Sequence, residues 1–239
     1  MLVSLQNISF AYKKGKDVIH RCSFDFENGK FYAILGASGI GKTTLLRIIA
    51  GLEEDYSGNI FFDGREGRGI PIKERNLAYI TQEYALYPRK TLFENIAYPL
   101  RLKEISVDEI KDRVYAIAKP FDLLSALSRK PGQVSGGQKQ KAALARALIK
   151  RPNLALFDEP LSNLDANSRV TIRPIIKELT NELGATSIYV THNINEAMSL
   201  GDEILLFDKS GLRSLGKPLD VATSTDDKVL ALFDGADSL

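Results

Sequence analysis

Apolar residues along the chain fall into two patterns. Four short runs are almost wholly apolar: FYAIL at Phe31 to Leu35, LALF at Leu154 to Phe157, SIYV at Ser187 to Val190 and EILLF at Glu203 to Phe207. Such runs suit strands buried on both faces of a mainly parallel sheet. Helical patterns follow three of them, starting near Thr43, Ala166 and Asn195, which is the alternation of an α/β fold. The first 30 residues and Asn59 to Asp63 instead alternate apolar and polar positions, predicting half-exposed antiparallel strands in a β layer beside the core. From about Pro88 to Arg151 the pattern is helical, with no convincing buried strand after Tyr79 to Gln82. A single domain is therefore expected, with sheet core and β layer over about 1–87 and 152–239 and an inserted helical lobe over about 88–151. Pro174 falls inside the helical run Ala166 to Leu183, where an interior proline costs about 3 kcal/mol or forces a kink. The helix is expected to bend there or to begin later.

Composition narrows the class. The 239 residues, 44% hydrophobic and 26% charged, suit one globular domain with a well-buried core. A net charge of +2 spread along the chain selects no partner, so neither nucleic acid nor anionic lipid is expected. One cysteine, Cys22, permits no internal disulfide, and no Cys/His cluster has metal-ligand spacing, so a reducing cytoplasm is expected. The N-terminus MLVSLQNISF reads as a strand rather than a signal peptide. No run approaches the roughly 20 apolar residues of a membrane-spanning helix.

Gly36-Ala37-Ser38-Gly39-Ile40-Gly41-Lys42-Thr43 fits G-x-x-x-x-G-K-[ST], and it lies between the strand FYAIL and the helical run TTLLRIIAGL, as the mechanics of that motif require. The glycines at 36, 39 and 41, with Ser38, let backbone N–H groups wrap phosphates. The helix N-terminus beginning at Thr43-Thr44 adds positive potential, Lys42 reaches the β- and γ-phosphates, and Thr43 can ligate Mg²⁺. The expected core is thus of the P-loop NTPase type. Alone, this motif fits kinases, GTPases, helicases and transport ATPases equally.

Leu154-Ala155-Leu156-Phe157-Asp158-Glu159-Pro160 puts two carboxylates at the end of an apolar strand, where a P-loop fold holds its Mg²⁺-binding acid. Asp158 is the metal-side candidate. Glu159, one residue on, is placed to act as general base on the attacking water. Standing alone, the pair would read as a solvent-facing strand end. Val134-Ser135-Gly136-Gly137-Gln138 opens a helical stretch, Lys139 to Lys150. Ser135 and Gln138 have capping-box spacing, and Lys150 and Arg151 suit the negative end of the helix dipole. A capped helix does not need two leading glycines, each costing roughly 1 kcal/mol relative to alanine. Bare N–H groups, a hydroxyl and a dipole end together make a second anion site, suited to a γ-phosphate.

With these three motifs in this order, the sequence resembles the ATP-binding-cassette (ABC) ATPases over nearly its whole length, with VSGGQ where the family signature is LSGGQ. The resemblance implies ATP and Mg²⁺ as ligands and further roles: Tyr12 for the aromatic that stacks on adenine, Gln82 for the glutamine linking Mg²⁺ to the transporter interface, and His192 for the switch histidine. Ser162-Asn163-Leu164-Asp165 resembles the loop that contacts the partner cassette, with Asp165 near nucleotide. Read by themselves, Tyr12 would be a half-buried strand residue, Gln82 a solvated strand end and His192 a hydrogen-bonded structural histidine. Val134 for Leu, and Asn193 where many relatives carry Asp, are departures that remove no assigned chemical group.

The family precedent implies a dimer in which the signature of one cassette closes over the nucleotide of the other. It also implies transmembrane permease subunits, an extracytoplasmic solute-binding protein and a position on the inner face of the membrane. Glu83-Tyr84-Ala85-Leu86-Tyr87-Pro88 and Thr91 to Ala97 resemble importer ATPases of the maltose/oligosaccharide, polyamine and ferric-iron group, which points to a sugar or similar small organic solute. Many sugar importers continue into a regulatory domain near the position of Leu239, so regulation of that kind is not expected. A DNA-repair ABC ATPase needs a long heptad-patterned insertion between its nucleotide motifs, for which Gln82 to Ser135 leaves no room, and a ribosomal one carries two cassettes in one chain. A P-loop kinase or GTPase leaves VSGGQ and His192 unexplained.

Overall fold

The computed structural model describes residues 1–13, 16–103 and 105–234. In chain order the elements are β1 (Val3–Lys13), β2 (Lys16–Phe26), β3 (Phe31–Leu35), α1 (Lys42–Ala50), β4 (Ser57–Phe62), β5 (Arg65–Glu66), β6 (Leu77–Ile80), α2 (Leu92–Arg101), α3 (Val107–Ala118) and α4 (Gly136–Leu148). They continue with β7 (Leu154–Asp158), α5 (Ala166–Glu182), β8 (Thr186–Val190), α6 (Ile194–Leu200), β9 (Glu203–Asp208), β10 (Gly211–Gly216), α7 (Pro218–Ala222) and α8 (Asp227–Asp234).

Two sheets form, in strand orders β10-β9-β3-β8-β7-β6 and β2-β1-β4-β5. Within the first, β9, β3, β8, β7 and β6 run parallel and only β10 is antiparallel. The second is antiparallel throughout. This is the α/β fold read from the sequence. The apolar runs are β3, β7, β8 and β9, and every residue of β3, β7 and β8 is buried, as two covered faces demand. The alternating N-terminus supplies β1 and β2 of the antiparallel layer.

Period-two alternation sorts each central strand between two packing layers. Phe31, Ala155, Phe157 and Tyr189 turn towards the helices α2 to α5. Tyr32, Ile34, Leu154, Leu156, Ile188 and Val190 turn towards α1 and the antiparallel sheet. On the first face the rings of Phe31, Phe157 and Tyr189 lie 5.7 to 6.1 Å apart between centroids, within the range of favourable aromatic contact.

Helices α2, α3 and α4 all lie between β6 and β7 in sequence. Each begins at a side-chain cap, from Thr91, Ser106 and Ser135 respectively. Several boundaries differ from expectation. The strand placed at Tyr79 to Gln82 is Leu77–Ile80, and α4 starts at Gly136 rather than Lys139 because Ser135 caps it. Lys150 does not serve its own helix end: its ammonium donates to the Leu77 carbonyl of β6, tying the end of α4 to the sheet. Arg151 follows with φ +56 and donates its N–H to the Leu148 carbonyl.

Helix α5 does not begin late. It starts at Ala166, capped by Asp165, and Pro174 lies inside it. The proline costs one intrahelical donor and is tolerated because Ile172 and Ile176 beside it are fully buried, so packing holds the helix. Pro174→Ala restores that donor, and unfolding in urea should show a gain of about 2 kcal/mol, the interior-proline cost less the rigidity a proline gives the unfolded chain. A loss of stability would mean that the backbone at this turn is shaped around the proline.

Candidate active site

Parallel strands all present their carboxyl ends on one edge of a sheet, where α/β folds gather their ligands. Here that edge collects four loops: Gly36 follows β3, Asp158 and Glu159 close β7, Thr191 and His192 follow β8, and Gln82 follows β6.

The loop after β3 is built on backbone that side chains would spoil. At Gly36 a Cβ would stand 2.4 Å from the Phe207 carbonyl oxygen, and at Gly41, with φ +113, it would stand 2.9 Å from the Val18 side chain. Gly39, at φ +74, has open space around it, so its requirement is conformational alone. Ser38 and Gly39 are exposed at the loop tip, whereas Lys42 and Thr44 are buried. The Lys42 ammonium donates to the carbonyls of Gly36 and Ala37 at 2.7 and 2.9 Å. Burial pushes its pKa down, opposed by the nearby charges of Glu159 and Asp158.

Thr43 donates its hydroxyl to Asp158 at 2.9 Å, joining the start of α1 to the end of β7. The other Asp158 oxygen accepts from the Tyr79 hydroxyl at 3.1 Å. Burial raises the Asp158 pKa, against the lowering effect of those two hydrogen bonds, with Glu159 adding to the rise and Lys42 opposing it. Burial likewise raises the Tyr79 phenol far above its usual range, reinforced by the Asp158 charge. The result is a hydroxyl–carboxylate pair of hard oxygen donors next to a buried ammonium.

Glu159 adopts φ +46, a left-handed conformation costing roughly 1–2 kcal/mol for a residue with a Cβ. Its N–H donates to the Val190 carbonyl at 3.0 Å, and its carboxylate lies 3.2 Å from Nδ1 of His192. The strained turn therefore aims Glu159 across β8 at the histidine. Gln82 is exposed, and its backbone carbonyl accepts from Asn163 at 3.2 Å. Tyr12, 58% exposed, touches the same region through a 3.1 Å hydrogen bond between its hydroxyl and that of Thr44. Its ring meets that of Phe10 in a T-shaped contact at 4.8 Å.

A phosphate-shaped glycine loop, a buried lysine and paired carboxylates on a parallel sheet specify a nucleotide site, and comparison with known proteins specifies its kind. The family described as "ABC transporter" matches residues 19–162, from β2 past the Asp158-Glu159 turn. The chain belongs to the ABC transporter family. It is 43% identical over 224 residues to the trehalose/maltose import ATP-binding protein MalK of Thermococcus litoralis, covering 91% of this chain and 60% of that protein. It is 41% identical over 234 residues to the sn-glycerol-3-phosphate import ATP-binding protein UgpC of Cupriavidus pinatubonensis, covering 98% of this chain and 63% of that one. The chain thus spans somewhat over half the length of these curated relatives. Among solved structures, the dimeric post-hydrolysis state of the ATP-binding cassette MJ0796, bound to ADP and Pi, superposes with a TM-score of 0.80 at 30% identity. It covers 89% of this chain and 98% of that one.

In this ABC family member the signature lies near Leu164 and Tyr84 and, among the described residues, is not bonded to the phosphate loop. Among the described residues, no hydrogen bond or ion pair joins Ser135, Gly136, Gly137 or Gln138 to the Gly36–Thr44 loop. Ser135 and Gln138 instead cap α4 reciprocally, each bond 3.2 Å long. A Cβ on Gly136 would come no closer than 3.7 Å to another residue, and on Gly137 no closer than 3.4 Å. Neither glycine is required by its own fold. Asp165 caps α5, accepting from the Ser168 N–H at 3.0 Å and its hydroxyl at 2.6 Å, bonds that lower its pKa, the hydroxyl first.

Several residues at the site lie outside the motifs that sequence reading singles out. Tyr79 reads as an ordinary strand residue. Arg146 on α4 donates to the carbonyls of Tyr84 and Ala85 at 3.1 and 2.8 Å, fixing the segment after Gln82. Arg169 on α5 does the same for Ser162 and Leu164 at 2.9 and 2.8 Å. A single arginine on a helix carries no spacing rule that would have marked either one.

The two classes of glycine separate experimentally. Gly36→Ala forces the strand β9 carbonyl aside, and denaturant unfolding should show a loss of about 1–3 kcal/mol. Gly136→Ala should leave stability within about 1 kcal/mol of the parent. Equal losses in both would place Gly136 among the structural glycines.

Proposed function

We propose that the chain is the ATP-binding and ATP-hydrolysing subunit of an importer for a sugar or similar small organic solute, acting as a dimer of cassettes on separate permease subunits. The observation that carries this reading is the meeting of Lys42, the Thr43–Asp158 pair and the Glu159–His192 pair on one sheet edge. The import proteins named above, for trehalose/maltose and for glycerol phosphate, support the solute class.

Each residue has a defined task in this reading. The N–H groups of the Gly36–Thr44 loop and the start of α1 receive the phosphates, and Lys42 turns from its own loop carbonyls to the β- and γ-phosphates. The exposed face of Tyr12 stacks on adenine. Thr43 and Asp158, with Gln82 at the next strand end, offer the hard oxygen donors that would hold Mg²⁺. The ion held by these residues would supply neutralisation of the charge developing on the phosphates. Glu159 takes a proton from water as its oxygen attacks the γ-phosphorus, the bond to the β-phosphate oxygen breaks, and ADP and phosphate leave. His192, hydrogen-bonded to Glu159, keeps the base aimed and contacts the γ-phosphate.

Ser135, Gly136, Gly137 and Gln138 close this site from a second cassette, which explains glycines that their own chain does not need. Asp165 and its loop lie at the same contact. Residues 88–151 then move as a lobe against the sheet core, 1–87 and 152–239, when ATP draws two cassettes together. A groove of about 400 Å³ lined by Thr81, Glu83, Tyr84, Tyr87 and Arg146, beside Gln82, supports a permease contact there. No helix among the described residues is long and apolar enough to cross a membrane. An extracytoplasmic solute-binding protein and a position at the inner membrane face complete the assembly.

Glu159→Gln tests the reading. ATP binding should stay within a few-fold of the parent, kcat should fall about 10²–10⁴-fold, and ATP should drive dimerisation on size-exclusion chromatography. Removing Mg²⁺ with EDTA should likewise stop turnover in the parent. A fully active Glu159→Gln protein would remove Glu159 from the chemistry.

A further inference from the structure

Behind the Glu159–His192 pair lies a carboxylate that none of the motifs uses. Glu196, in the first turn of α6, is 3% exposed, a costly place for a charge unless it is fully partnered. Three groups converge on it. Tyr189 and Thr191 both donate hydroxyl protons to Oε2, at 2.9 and 2.8 Å, and the Arg173 guanidinium lies 3.6 Å from Oε1.

Thr191 passes this constraint forward. Its hydroxyl oxygen also accepts the Asn193 N–H at 3.0 Å, and the Asn193 side chain caps the Glu196 N–H at 3.1 Å. The peptide turn on either side of His192 is thereby closed into a ring of hydrogen bonds with Glu196 at its back. Arg173 passes it sideways. Four residues earlier on α5, on the same face of the helix, Arg169 grips the carbonyls of Ser162 and Leu164. Glu159, Ser162, Arg169, Thr191, His192 and Glu196 all border one void of about 10 Å³, so the two loops meet where the histidine faces the base.

We propose that Glu196 is a positioning residue for the Glu159–His192 pair: through Thr191 it sets the turn that carries His192, and through Arg173 it locks that turn to α5, whose Arg169 holds the Ser162–Asp165 loop. The inference rests on the ATPase reading above. It assigns α5 the task of making the histidine respond to the loop at the cassette contact. Among the described residues Glu196 bonds to none of the Gly36–Thr44 loop nor to Asp158, so its loss acts on the aim of His192 and leaves the phosphate loop untouched.

Thr191→Val keeps the shape of the strand end and removes the linking hydroxyl. In the full chain kcat for ATP should fall about 10- to 100-fold, the scale of a misplaced reacting group, with KM within about twofold. In a His192→Ala background the same substitution should have no further effect, because the two act as one unit. Glu196→Ala should behave like Thr191→Val, and Glu196→Gln, whose amide oxygen still accepts both hydroxyls, should recover most of kcat. The chain has two histidines, so a ¹⁵N imidazole spectrum at one fixed pH reads the geometry directly: Thr191→Val should move the His192 resonances and leave those of His20 in place. Unchanged kcat, an equal loss in the His192→Ala background, or unmoved His192 resonances would overturn the proposal. If His192→Ala itself keeps full turnover, the ATPase roles fall, and the spectrum still decides whether Glu196 sets the turn.

Discussion

Parallel pairing of β3 with β8, and of β8 with β7, constrains everything else in the molecule. In that pairing Ile34 stands opposite Val190, and Val190 opposite Asp158, so the three strands end level with one another. A one-residue slip would turn every side chain of a strand to the opposite face, exchanging Phe157 for Leu156 in the helical layer. The register is therefore held by both packing layers at once. Its consequence is chemical: Gly36, Asp158, Glu159 and His192 emerge side by side without any contact having been made for their sake.

That edge concentrates charge in a poor solvent for it. Lys42 and Asp158 are both buried, and burial moves each pKa against its charged form. Among the described residues neither forms a direct ion pair. The lysine rests on two carbonyls of its own loop, and the aspartate on two hydroxyls. Such groups are pre-organised at a cost that a polyanion and its cation would offset. Glu159 adds backbone strain to the same place, the pattern expected where geometry serves chemistry rather than stability.

Much of this was legible in sequence. The runs at Phe31, Leu154, Ser187 and Glu203 declare buried strands because two covered faces tolerate no polar alternation. The Gly36–Thr43 spacing declares its loop because each glycine answers a steric demand: the Phe207 carbonyl at Gly36, a positive φ at Gly39 and Gly41. Less legible were short elements without periodicity, β5 and β10, and boundaries set by a cap, as at Ser135. Least legible were contacts between residues distant in sequence. Nothing marks Tyr79 as a partner of Asp158, 79 positions away, because a lone hydroxyl carries no spacing rule, and the Thr-His-x-x-x-Glu-Ala run from Thr191 to Ala197 marks His192 without showing that Glu196 closes the turn behind it. Pro174 left two readings open, a bend or a later start, and the later start is excluded because α5 begins at Ala166 and packing of Ile172 and Ile176 carries it through the proline.

The separation of Ser135–Gln138 from the phosphate loop gives the account its central claim, that one site is made by two chains. Two glycines with space for a side chain, one exposed and one half-buried, at the positive end of a capped helix, lack a purpose within a single cassette. The structure of the Glu159→Gln protein with ATP and Mg²⁺ tests this most directly. The Ser135 hydroxyl and a signature N–H of one protomer should lie within hydrogen-bonding distance of the γ-phosphate held by Lys42 of the other. A γ-phosphate contacted by residues of one chain alone, with Ser135 to Gln138 facing solvent, would contradict it.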